Sequence, residues 1–90
     1  MNINEIIRNI IENATTPDGK KMTQAAIIDH INRKYGQSVT AAALSDRLKN
    51  KNMKINTVIE MLDLLDYEVV IRSKKEGLQS YVVERGTGRD

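Results

Sequence analysis

Isoleucines recur at positions 3, 6, 7, 10 and 11. Spacings of three and four residues place them on one stripe of a helix of about three turns. Asn2 or Asn4 is placed to cap its start. Thr15-Thr16-Pro17-Asp18-Gly19 ends it, because Pro17 cannot continue the hydrogen-bond ladder and Asp-Gly favours a turn. Thr23 is a good N-cap for a second helix, and Met22 and Ile27 are spaced for a hydrophobic staple. Ile27, Ile28, Ile31 and Tyr35 form its buried stripe, and Gly36 is the expected stop at C′. After the link Gln37-Ser38-Val39, Thr40 is placed to cap a third helix that turns Ala43, Leu44 and Leu48 inward. Asn50 to Lys54 is polar and turn-like. Asn56 is then expected to cap a fourth helix, with Ile55 packing beneath it and Val58, Ile59, Met61, Leu62 and Leu65 on its core face.

The period changes after Asp66. Residues 67–72 and 78–83 are rich in β-branched and aromatic side chains, and Ser73-Lys74-Lys75-Glu76-Gly77 lies between them. Two such runs around a short loop containing glycine predict a hairpin. The expected fold is therefore mainly α, four short helices plus a C-terminal β-hairpin. A flexible tail is expected over residues 86–90.

Ninety residues make one small domain with a modest core, which leaves room for stabilisation by dimerisation. The absence of cysteine excludes disulfides and thiolate metal sites. No apolar run approaches membrane-spanning length. The opening Met1-Asn2-Ile3-Asn4-Glu5 has neither the basic start nor the cleavage site of a signal peptide, so a cytoplasmic protein is expected. The net charge of +2 says little, but its distribution says more. Residues 31–60 carry Arg33, Lys34, Arg47, Lys49, Lys51 and Lys54 against only Asp46 and Glu60. The thirds on either side are slightly acidic. A localised basic excess is the electrostatic footprint of a polyanion partner, or else an ordinary solvated face.

Met22-Thr23-Gln24-Ala25-Ala26, Val39 to Leu48, and Lys54 to Leu62 leading into Leu65-Asp66-Tyr67-Glu68-Val69-Val70-Ile71 together resemble the lambda-repressor-like helix-turn-helix family. That family includes the Xre, Cro and C-type regulators of phages and mobile elements, and the similarity covers about residues 3–73. The resemblance implies a helix-turn-helix DNA-binding domain over residues 1–66, with a hairpin over 67–85 serving as a dimerisation element or a wing. It implies that the third helix enters the major groove through Thr40, Ala41, Ala42, Ser45 and Asp46, with Lys49 at its far end. Gln24 matches the position that often contacts a phosphate. Lys49, Lys51 and Lys54 would hold the DNA backbone without specifying sequence. The family's strand-opening Gly-Tyr-Glu appears here with Asp66 in place of the glycine. Ser38 takes the place of the family's turn glycine and Lys34 that of its small residue, so the second helix and its turn should be longer than in the family.

Alanines at 41 and 42 cannot make the bidentate bonds that discriminate bases, although they can pack on a thymine methyl. Simple helix propensity explains them equally well. Asp46 would repel phosphate unless it meets a cytosine amino group or pairs with Arg47 or Lys49. His30 stands alone and reads as a surface or edge histidine. Glu60, Asp63 and Asp66 read as the solvated face of the fourth helix. There is no nucleophile–His–acid arrangement, no phosphate-cradling loop and no metal-ligand cluster, so neither catalysis nor a cofactor is expected.

The hairpin has three readings. Val69, Ile71, Tyr81 and Val83 could pair two copies into a homodimer. Arg72, Lys74 and Lys75 could form a wing on the DNA backbone. The hairpin could also merely cover the core. The leading expectation is a dimeric repressor of double-stranded DNA that acts by promoter occlusion. The competing one is a protein-interaction module on the same scaffold, such as an antitoxin-like or phage-encoded inhibitor.

Overall fold

The computed structural model describes residues 1–86. Four helices are followed by a two-stranded antiparallel hairpin: α1 (Ile3–Asn13), α2 (Gln24–Tyr35), α3 (Ala41–Lys49), α4 (Ile55–Asp63), β1 (Val69–Ile71) and β2 (Tyr81–Val83). The stripes predicted from spacing converge on one core. Ile7, Ile27, Ile31, Leu44 and Met61 are fully buried, and Met22, Val39, Leu48, Val58, Leu62 and Leu65 surround them.

Three local signals act as expected. The Thr23 hydroxyl accepts from the Ala26 N–H at 3.2 Å, and the Thr40 hydroxyl accepts from the Ala43 N–H at 3.1 Å. Gly36 ends α2 with φ +63°, a left-handed conformation that glycine adopts without steric cost.

Other expectations are corrected. Asn2 occupies the N-cap position of α1 but makes no side-chain cap, and Asn4 is buried within the first turn. Asn56 does not cap α4. The helix starts two residues earlier, with Lys54 at the N-cap, and Asn56 is buried inside it. There its Oδ1 accepts from the Gly86 N–H at 2.8 Å. Ile55 is exposed rather than packed beneath the helix. Gly86 is thus held against α4, while the rest of the tail expected over 86–90 lies outside the described residues.

The exit from α4 explains Asp66. Tyr67 N–H donates to the Leu62 carbonyl and Asp66 N–H to the Asp63 carbonyl, the paired bonds of a Schellman closure. Its C′ residue must be left-handed, and Asp66 has φ +65° where a glycine would be unstrained. Aspartate tolerates this region better than most residues.

The strands are shorter than the apolar runs that announced them. The register pairs Val69 with Val83, Val70 with Val82 and Ile71 with Tyr81. Val69 packs against the core, whereas Val70, Ile71, Leu78, Tyr81 and Val82 are exposed. The hairpin therefore touches the core at its base and projects beyond it.

Candidate nucleic-acid interface

The α2–α3 connection is fixed by a side chain that the hydrophobic pattern does not reveal. The Asn32 amide donates to the Val39 carbonyl at 3.1 Å, and its Oδ1 accepts from the Val39 N–H at 2.8 Å. This pair of hydrogen bonds ties the extended link to the last turns of α2, and Val39 fills the core beside it. At the other end, Arg8 of α1 reaches across to α3. Its Nε and Nη2 donate to the Leu48 carbonyl at 2.9 and 2.7 Å. A cation on a C-terminal carbonyl satisfies an orphan acceptor and complements the helix dipole. Thus α3 is capped by Thr40 at its start, held by Arg8 at its end, and anchored underneath by Leu44 and Leu48.

The opposite face of α3 is open. Thr40, Ala41, Ala42, Asp46 and Lys49 are exposed and Ser45 is half-buried. Lys51, in the following turn, and Lys54, at the start of α4, are also exposed, as is Gln24 at the first position of α2. Lys49 and Lys51 form no ion pair among the described residues, and neither does Asp46. Thr40 is already an acceptor in its cap, so its hydroxyl has its proton and one remaining lone pair to offer a ligand.

Arg47 does not pair with Asp46. It half-buries on another face of α3, beside a cleft of about 740 Å³ also lined by Ser38, Lys54, Thr57 and Arg85. Its Nη1 is buried without a hydrogen-bond partner among the described residues. Only the middle-third charge excess hinted that Arg47 would differ from an ordinary surface cation.

Of the three carboxylates expected on the solvated face of α4, Asp66 is exposed just beyond the helix, but Glu60 and Asp63 are held in contacts. Glu60 is buried, accepts from Arg85 Nε at 2.7 Å and from Gln37 Nε2 at 2.8 Å, and lies beneath the start of the α2–α3 link. Arg85 also stacks over the Tyr35 ring, 4.6 Å from its centroid. Asp63 is half-buried between His30, whose Nε2 is 2.7 Å away, and Lys34, which donates at 2.6 Å. Burial alone would push the Asp63 carboxyl up, but the hydrogen bonds from Lys34 and His30 hold it below its ordinary value. The same bond raises Lys34 above the usual lysine value. Burial pushes the Tyr35 hydroxyl up, and the Asp63 charge adds to the effect. His30, partly exposed, is thus also an inter-helix partner, and Lys34 joins α2 to α4.

The predicted dimerisation residues divide along the hairpin. Val69 and Val83 are half-buried at its base, and Ile71 and Tyr81 are exposed farther out. No helix of the described residues is long and apolar enough to cross a membrane. The chain matches none of the family models, curated proteins or solved structures with which it was compared.

Proposed function

We propose that the chain is a sequence-specific DNA-binding regulator, a small repressor of the phage or mobile-element kind. It acts by seating α3 in the major groove and occluding a promoter, and it works in the cytoplasm as a homodimer. The observation that carries this reading is the presentation of α3. Its ends and its buried face are fastened by Thr40, Arg8, Leu44 and Leu48, while its outer face is bare and continues into Lys49 and Lys51. A rigid helix with a small, open face and an adjacent basic loop is suited to a groove flanked by phosphates. Apart from Asp46, nothing acidic interrupts the stretch from Thr40 to Lys54.

The test is a fluorescence-anisotropy titration against DNA from upstream of the protein's own gene and against scrambled DNA, at two salt concentrations. Tight, selective binding that weakens steeply with salt supports the reading. Equal binding to both DNAs makes the chain a non-specific binder. Absence of binding at the lower salt removes the proposal. It then favours the second reading, a protein-interaction module, for which the exposed apolar hairpin is the specific observation.

A further inference from the structure

The segment containing β1 reads Glu68-Val69-Val70-Ile71-Arg72. Set against itself in the reverse direction it is self-complementary, acid facing base at each end and apolar residues facing apolar residues between. Among the described residues the sheet has two strands, so one edge of β1 has no described strand beside it. Val70 and Ile71 are 45% and 63% exposed. Glu68 and Arg72 are exposed and take part in no ion pair among the described residues. No proline or charge interrupts β1, so none of those usual devices against edge pairing protects it.

We propose that this edge pairs with the same edge of a second copy of the chain, antiparallel and centred on Val70, to form a continuous sheet in the order β2-β1-β1-β2. Val70 then faces the partner's Val70, Val69 faces Ile71, and Glu68 faces Arg72 on both sides of the two-fold axis. The register is specified by both face and charge. A slip of one residue would join the Val69–Ile71 face of one copy to the Val70 face of the other. A slip of two would place Glu68 opposite Val70 or Lys74 and lose the match with Arg72. In the centred register, Val69, Ile71, Tyr81 and Val83 of both copies line one face of the four-stranded sheet. The edge of β2 has no such complementarity. Centred on Val82, it would set Ser80 against Glu84, and the cation just beyond, Arg85, is already held by Glu60.

This inference gives a geometry to the homodimer of the proposed reading, but it can fail separately, because self-association is measured without DNA. An interface of two short strands is small, so dissociation in the micromolar range is expected. The experiment is sedimentation equilibrium of the full chain, alone and as the variants Glu68→Arg, Arg72→Glu and the double swap, with circular dichroism confirming that each is folded. The wild type is expected to dimerise, each single reversal to weaken the dimer roughly ten-fold, and the double swap to restore it. Mixing the two single variants should yield a heterodimer tighter than either homodimer, since all four end charges then pair. A wild-type chain that remains monomeric overturns the proposal. So does a dimer indifferent to both reversals, or a mixture of the two variants that does not associate.

Discussion

Asn32 and Val39 are joined twice, side-chain amide to backbone, across the connection between α2 and α3. A buried backbone pair thereby finds partners that no helix or strand provides. Asn32→Ala is expected to destabilise the fold by about 1–3 kcal/mol, because it leaves the Val39 N–H and carbonyl without partners. Chemical denaturation measures the loss. Under the proposed function, DNA affinity should fall further than stability does, since α3 loses the fixed lead-in to its cap.

Glu60 gives a second test. It is buried beneath Arg85 and Gln37. Arg85→Ala should cost about 2–3 kcal/mol, less than a fully buried pair because Gln37 remains and Arg85 is partly solvated. Adding Glu60→Gln in that background should recover part of the loss, because the stranded charge is removed. A double-mutant cycle that shows strict additivity would contradict this account.

Acid should loosen the contact between α2 and α4. The Asp63 carboxyl sits below its ordinary value in the folded chain, held there by Lys34 and His30 against the effect of burial. Its contribution is therefore fully present above the unfolded value of 3.8 and is lost as pH falls through the lower folded value. Asp63→Asn should cost about 1 kcal/mol at neutral pH and flatten the stability profile below about pH 4. Equilibrium unfolding at a series of pH values checks both.

Asp66 should respond favourably to substitution by glycine. At φ +65° a Cβ is a steric burden, and Asp66→Gly is expected to stabilise the chain by up to about 1 kcal/mol, while Asp66→Ala costs about as much. Thermal melts of the two variants should shift in opposite directions.

Lys51 and Asp46 test the interface electrostatically. If Lys51 lies against a phosphate, Lys51→Ala should weaken binding equally on specific and scrambled DNA and reduce the salt slope by about 1. Asp46→Asn should strengthen binding, most clearly at low salt, unless Asp46 reads a cytosine amino group, in which case selectivity at that base falls.

The helices were legible because Ile7, Ile27, Ile31, Leu44 and Met61 fall on helical spacings, and because Thr23, Thr40 and Gly36 act within three or four residues of where they stand. Local chemistry of that kind is written in consecutive positions. The polar contacts were not legible, since their partners are remote. Glu60 meets Arg85 across 25 residues, Asp63 meets His30 across 33, and Arg8 meets Leu48 across 40. On spacing alone Glu60 and Asp63 look like any solvated helix face. Asn56 followed the composition of a cap but is the second residue of the helix, where Gly86 donates to it. The open face of α3 followed from its period, whereas the half-burial of Arg47 beside the cleft depended on how Ser38, Lys54 and Arg85 come together.

Arg85 and Gly86 return to α4 immediately after β2, while β1 leaves α4 through the closure at Asp66. The hairpin is thus fastened to one helix at both of its ends. In hydrogen-exchange terms, its ladder amides should not behave as those of a fraying terminus. They should open together with α4, as one cooperative unit, once the Glu60–Arg85 pair separates.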